Sequence, residues 1–210
     1  CIGTTATLTA FGGTSYTWTP GGLTASTITV SPSSNTIYTV TGVNRSGCTN
    51  TTTLSLSVSD PTLSLSSTSN TICAGTSATL TASGLSTYTW NPGVLTGTTV
   101  VVSPSVTTTY TAIGTSSLGC TSTKTIDITV IANPTVIASS SSTAICVGST
   151  ATLTALGGTS YTWNPGGLTA STITVNPTST TVYTLTGSNV SGCTNATTLS
   201  LIVNANPTVT

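Results

Sequence analysis

Six cysteines set the frame of this chain. They fall at 1 and 48, at 73 and 120, and at 146 and 193, so that each pair is 47 residues apart and the pairs recur every 72 or 73 residues. Trp18, Trp90 and Trp163 each follow the first cysteine of a pair by 17 residues. Spacing repeated in this way marks three copies of one supersecondary unit, and it has to be read before any local pattern. Copies one and three are nearly identical, TATLTAFGGTSYTWTPGGLTASTITV against TATLTALGGTSYTWNPGGLTASTITV, while the middle copy, SATLTASGLSTYTWNPGVLTGTTVVV, has drifted. The alternation points to a two-domain repeat of about 145 residues within a longer array.

Each copy reads as β throughout. Thr alternates with apolar residues in TATLTA, SYTWTP, STITV, TIYTV and TTLSLSV, and a period of two is the mark of half-buried strands. β-Branched Thr, Val and Ile suit a pleated surface. Turn signals such as FGG, PGG, VSPSSN and NRSG separate the runs. In the middle copy the strand order is A (PTLSLSS), B (SATLTAS), C (TYTW), a short D/E region (GTTVVVSP), F (TTYTAIG) and G (TSTKTIDITV). The inward set of copy one is Leu8, Ala10, Tyr16, Trp18, Ile28, Val30, Tyr38, Val40, Leu54, Leu56 and Val58. The expected fold class is all-β, with tandem sandwiches of about 73 residues. The expected domains are 1–60 (lacking strand A), 61–133 and 134–206, with 207–210 opening a following strand A.

The inventory of side chains narrows function. Arg45, Asp60, Lys124 and Asp127 are the only charged residues, and there is no histidine, glutamate or methionine. General acid–base and nucleophilic mechanisms need titratable groups held close together, and the two aspartates lie far apart in different copies, so the chain is not expected to be an enzyme. No cofactor is expected. Calcium needs a nest of oxygen ligands, usually several carboxylates, and zinc needs Cys or His at close spacing; neither is present. Two distant cations cannot hold a nucleic-acid backbone. No apolar run approaches the length of a membrane span.

Three residue patterns resemble an immunoglobulin-like sandwich. Leu8-Thr9-Ala10 stands where an immunoglobulin B strand has Leu-x-Cys, Trp18 matches the strand C core tryptophan, and Tyr38-Thr39-Val40 matches Tyr-x-Cys of strand F. The resemblance makes Trp18, Trp90 and Trp163 core residues and Tyr38, Tyr110 and Tyr183 candidates for the tyrosine corner. The antibody cysteines are replaced by Ala and by Val, Ala or Leu. The pattern C-x-G-x-x-A-T-L-T-A … Y-T-W … T-x-Y-T … G-C-T resembles more closely the tandem immunoglobulin-like or PKD-like repeats of giant secreted surface proteins, common in Bacteroidetes-type adhesins and appendages. The resemblance covers nearly the whole chain and is specific for fold and weak for any activity.

That strand plan bears on the cysteines, which in an extracellular chain suggest disulfides. Intradomain bonds (Cys1–Cys48, Cys73–Cys120, Cys146–Cys193) would link the A–B turn to the start of strand G, at opposite ends of strand F. Those ends stand close to 30 Å apart for about nine residues at roughly 3.3 Å each, whereas a disulfide tolerates at most about 7 Å between Cα atoms. Cross-joint bonds, Cys1 to Cys120 and Cys73 to Cys193, are favoured; Cys48 and Cys146 then need neighbouring repeats. A Cys73–Cys120 peptide in a non-reducing map would decide for the intradomain scheme.

The leading expectation is a structural repeat segment of an extracellular, cell-surface fibre, stalk or adhesin shaft, stiffened by short joints and disulfides. Its partners are neighbouring repeats of the same chain or identical chains in a filament or bundle, since a net charge near zero weakens mutual repulsion. The alternative is a carbohydrate- or surface-binding adhesin module with glycan partners; against it, Tyr16 and Trp18 alternate with Ser15 and Thr17 and so point inward. Ice binding is a third possibility, but the Thr-x-Thr pairs fall in short, twisted strands. Asn44, Asn50, Asn189 and Asn195 match N-x-[ST]. The chain opens at strand B and closes on ANPTVT, read first as a window from a longer array and second as donor-strand exchange between copies.

Overall fold

The computed structural model describes residues 1–209; Thr210, the last residue of the expected fourth strand A, lies outside the described residues. Every regular element among them is a strand. Repeat 1 carries β1 (Ala6–Thr9), β2 (Ser15–Thr19), β3 (Thr27–Val30), β4 (Thr36–Val43) and β5 (Thr49–Leu56). Repeat 2 carries β6 (Ser64–Ser67), β7 (Thr71–Cys73), β8 (Ala78–Ser83), β9 (Thr87–Asn91), β10 (Leu95–Thr96), β11 (Thr99–Val102), β12 (Thr108–Thr115) and β13 (Thr121–Ile131). Repeat 3 carries β14 (Ile137–Ser140), β15 (Ala144–Cys146), β16 (Ala151–Leu156), β17 (Ser160–Asn164), β18 (Thr172–Val175), β19 (Thr181–Ser188) and β20 (Thr194–Asn204).

The sheets have immunoglobulin-like order. In repeat 3, β14-β16-β18 form one sheet and β15-β20-β19-β17 the other, which in sandwich lettering is A-B-E against A′-G-F-C. Repeat 2 repeats this as β11-β8-β6 and β10-β9-β12-β13-β7, and repeat 1 as β1-β3 and β2-β4-β5. The fold is all-β and immunoglobulin-like on this topology. One element escapes the sequence pattern. The chain leaves strand A, crosses over, and adds a three-residue strand A′ parallel to G: Ile72 faces Val130 in repeat 2 and Ile145 faces Val203 in repeat 3. Cys73, read from sequence as lying in a turn, is the last residue of this strand. Three residues are too few to show a period of two.

The alternation places one face of each strand inside. In repeat 3 Leu153 pairs with Ile173 across the first sheet and Trp163 with Leu185 across the second, and these four join Ala151, Ala155, Tyr183 and Leu201 in one core. Repeat 1 has the matching but smaller core of Leu8, Trp18, Ile28, Tyr38 and Val40, with Ala10, Tyr16, Val30 and Leu56 packed on it. Leu54 corrects the expected inward set. It faces Tyr38 across β5 and β4, yet is 48 % exposed because no strand lies over it; its counterpart Leu199 packs on the core of repeat 3, where β14 lies against β20.

The chain divides into two compact units. The first comprises Cys1–Ser67, Leu80–Val100 and Tyr110–Ile126; the second comprises Thr68–Thr79, Val101–Thr109 and Asp127–Thr210. Each contains one of the junctions between consecutive repeats.

Candidate functional site at the repeat junctions

In the second unit, the junction is built around Cys73 and Cys193, which are bonded with their Cα atoms 5.5 Å apart. Strand A′ delivers Cys73, and Ala74 N–H donates to the Ile131 carbonyl just beyond it. Cys193 closes the F–G turn, whose shape Asn189 fixes: its Oδ1 accepts from the backbone N–H of Ser191 and of Cys193. Cys193 is almost completely buried.

The linker Ala132–Val136 is seated on repeat 3 by side-chain amides. Asn189 Nδ2 donates to the Ala132 carbonyl at 3.0 Å, and Asn195 Nδ2 donates to the Pro134 carbonyl at 3.1 Å. From the linker itself, Asn133 Nδ2 donates to the Ala74 carbonyl of repeat 2. Two glycines make the seat. Gly157 has φ +87 and touches the Thr135 carbonyl so closely that no Cβ fits, and a Cβ on Gly187 would lie 2.8 Å from Val136 Cγ2. Glycine here serves close backbone approach as well as a left-handed turn.

The first unit holds the corresponding junction in another chemical version. Cys1 is bonded to Cys120 with Cα atoms 5.4 Å apart, and Cys120 is buried. Ile2 N–H donates to the Ser59 carbonyl, as Ala74 does to Ile131. Gly84 touches the Thr62 carbonyl, again with no room for a Cβ. Ser116 replaces the turn asparagine, its Oγ accepting from Cys120 N–H, and Asp60 replaces Asn133. Both units therefore use a cysteine bridge, a Pro-Thr-apolar linker and a glycine seat.

The other two cysteines, Cys48 and Cys146, are free thiols on the surface. Asn44 Oδ1 accepts from Ser46 and Cys48 N–H around the turn that ends in Cys48, the same arrangement as at Asn189. Beyond Cys146, Val147 N–H donates to the Asn204 carbonyl and Asn206 Nδ2 donates to the Val147 carbonyl at 3.3 Å. Each half of a junction is thus preformed at a free cysteine.

The tryptophans have no open face for a ligand. Trp18, Trp90 and Trp163 are at most 2 % exposed, and each indole N–H donates to a backbone carbonyl, of Ala25, Gly97 and Ala170 respectively. Tyr38, Tyr110 and Tyr183 are buried in strand F; burial pushes the phenols of Tyr110 and Tyr183 up from their ordinary value. The tyrosines that clasp the backbone are one strand earlier: the hydroxyls of Tyr16, Tyr88 and Tyr161 accept from the N–H and donate to the carbonyl of Gly13, Leu85 and Gly158. The four N-x-[ST] asparagines have structural duties, with Asn189 and Asn195 using the very nitrogen a glycan would occupy. Arg45, Asp60, Lys124 and Asp127 are all exposed. Sequence reasoning missed the seating role of Gly157, Gly187, Asn189 and Asn195. Its only trace is the recurrence of Pro-Thr-Leu or Pro-Thr-Val after each copy.

No protein-family model and no curated protein matches the chain. Among solved structures it is similar to the N-terminal eight Ig domains of Down Syndrome Cell Adhesion Molecule, with 16 % identity and TM-score 0.48, over 98 % of this chain and 35 % of that one. It is also similar to a structure from a 1.5-MDa bacterial ice-binding adhesin (18 % identity, TM-score 0.37, 98 % of this chain and 92 % of that one). A third similar structure is a Ca2+-stabilized adhesin of an Antarctic bacterium (18 % identity, TM-score 0.38, 97 % and 69 %). At such identities likeness concerns fold alone.

Proposed function

We propose that this chain is a structural repeat segment of an extracellular fibre, stalk or surface adhesin, in which immunoglobulin-like sandwiches are held end to end by locked junctions. The observation that carries this reading is the doubled bridge, Cys1–Cys120 in one unit and Cys73–Cys193 in the other. Each closes a loop of 119 or 120 residues, which on the chain-entropy model removes roughly 4–5 kcal/mol of unfolded-state freedom. A sandwich of this size has a thin stability margin of its own, so a bridge to its neighbour stabilises the sandwich and restrains the junction together. Disulfides of this kind form and persist in oxidising surroundings, which fits secretion to the cell surface. The repeats boundaries 1–60, 61–133 and 134–206 are part of the same proposal.

A nearly charge-free surface suits a passive shaft: pH has little to titrate, and trypsin finds only Arg45 and Lys124. Immunogold electron microscopy of intact source cells, with antibody raised against this chain, tests the reading. Label along surface fibres or stalks is the expected result; label confined to the cell interior overturns it. The glycan-binding alternative, with a carbohydrate partner, predicts specific signal for the chain on a glycan array.

A further inference from the structure

The two free cysteines lie on surfaces that match each other. Repeat 1 carries an open groove of about 650 Å³ whose wall includes Gly12, Gly42, Asn44, Cys48 and Asn50. These residues correspond, 145 positions earlier, to Gly157, Gly187, Asn189, Cys193 and Asn195, which seat and bridge the incoming linker in repeat 3. In repeat 1 the seat is vacant of protein: a Cβ on Gly12 would meet nothing within 4 Å, and one on Gly42 only Tyr16 at ordinary contact distance. At the other end of the chain, Asn206 already makes the contact to Val147 that Asn133 makes to Ala74. Pro207, Thr208 and Val209 follow it as Pro134, Thr135 and Val136 follow Asn133, and Val209 is 91 % exposed.

We propose that two copies of this chain join head to tail, the Asn206–Val209 segment of one entering the repeat 1 groove of the next and Cys146 of the first bonding to Cys48 of the second. This deepens the shaft reading above and rests on it for its biological setting. The choice of occupant follows from chemistry. The asparagine-type seat of repeat 3 receives Ala-Asn-Pro-Thr-Val, whereas the serine-type seat of repeat 2 receives Ser-Asp-Pro-Thr-Leu. Repeat 1 has the asparagine-type seat, and 205–209 reads Ala-Asn-Pro-Thr-Val. Docked in the same way, the Ala205 carbonyl accepts from Asn44 Nδ2, the Pro207 carbonyl accepts from Asn50 Nδ2, and Val209 covers Gly42. The bond itself is thiol–disulfide exchange with a small-molecule disulfide such as oxidised glutathione. One protein thiolate attacks it and expels a glutathione thiolate, and the second protein thiolate attacks the mixed disulfide and expels the other. Two thiols thus lose two protons and two electrons, and one glutathione disulfide becomes two glutathione thiols.

The test is to incubate the 210-residue chain with a glutathione redox buffer and follow it by non-reducing electrophoresis and peptide mapping. A ladder of multimers joined by Cys48–Cys146 peptides is expected. Chains carrying Cys48→Ser or Cys146→Ser alone should stay monomeric, and a mixture of the two should stop at dimers. Docking ahead of bonding raises the effective thiol concentration, so Gly42→Val, which fills the groove, and Val209→Asp, on the exposed segment, should each slow the ladder roughly tenfold or more. Bonds between like cysteines, persistent free thiols at both sites, or ladders formed at the unmodified rate by both groove variants would each overturn the proposal. Ladder formation is independent of where label falls on cells, so failure of this inference and failure of the shaft reading are separately visible.

Discussion

Leu56 and Leu201 occupy the same place in strand G of repeats 1 and 3, within stretches of nearly the same sequence. Leu201 is fully buried, while Leu56 is only half-buried at the edge of its core. The same contrast runs through Ala10 and Ala155, Val30 and Val175, and Cys48 and Cys193, the repeat 3 member being the more buried each time. The difference is what lies on top. In repeat 3, linker and strand A cover the sandwich; in repeat 1 the corresponding positions fall before Cys1. A sandwich here is therefore not a self-sufficient packing unit: part of its core is roofed by the segment that arrives from its neighbour. Side-chain pattern decides which face points inward, and the incoming segment decides how dry that face becomes.

The largest way to break the comparison is through the bridges. Cys73→Ser with Cys193→Ser removes a cross-link, and should cost repeat 3 about 4–5 kcal/mol on the entropic model, whereas Cys48→Ser should cost repeat 1 almost nothing. Hydrogen exchange read separately on β20 and β5 reports each repeat, which matters because a multidomain chain has no single unfolding free energy. Equal loss of protection in the two strands would refute the asymmetry.

The core leucines come next. Leu201→Ala deletes a fully buried side chain and should destabilise repeat 3 by about 2–5 kcal/mol. Leu56→Ala leaves a hole already open to water, and its cost should be less than about half of that. If the two costs match, repeat 1 is better covered in solution than its exposure indicates.

The glycines sharpen the contrast further because their backbone angles are alike, φ +89 at Gly12 and +87 at Gly157. Alanine at either position bears the left-handed penalty of about 1–2 kcal/mol. At Gly157 the new methyl also drives into the Thr135 carbonyl, adding an overpacking cost of about 1–3 kcal/mol. Thermal unfolding of the two variants, followed by exchange in β16 and β1, measures the difference directly. A Gly12→Ala variant as damaged as Gly157→Ala would mean that the seat in repeat 1 is filled.

How much of this was legible beforehand differs between sandwich and junction. Leu8, Trp18 and Tyr38 declare their strands because alternation is local: each strand carries its own period-two pattern and shows it without reference to anything distant. Strand A′ does not, since Thr71-Ile72-Cys73 is held by its parallel partner β13 and not by any pattern of its own. Leu54 has the right parity to face inward, but parity says nothing about a missing roof. The separation between the ends of strand F argued against pairing Cys73 with Cys120, a global consequence of strand order. The seats at Gly157 and Asn195 were illegible for the opposite reason. They exist only where the linker's carbonyls come close, and a glycine in a turn or an asparagine in a sequon looks the same with or without such a guest.

The smallest effect is therefore the most local. Asn195 and Asn50 both cap their own strand, Oδ1 accepting from the next backbone N–H in each case. Only Asn195 also donates through Nδ2 to the linker, at the Pro134 carbonyl. Replacing either by Ala removes the shared bond; replacing Asn195 removes one more, and a typical intramolecular hydrogen bond contributes about 1 kcal/mol. Asn195→Ala should thus exceed Asn50→Ala by about 1 kcal/mol, read as faster exchange of the Val136 and Ile137 amides with the core of repeat 3 unchanged. Asn195→Asp separates the two bonds: it keeps the acceptor for Ala196 N–H and loses the donor to Pro134. It should loosen the linker as Ala does while leaving the turn of β20 intact. Should Asn195→Asp behave like the unmodified chain, the side-chain amide does not hold the linker, and the seat reduces to the glycines and the cysteine bridge.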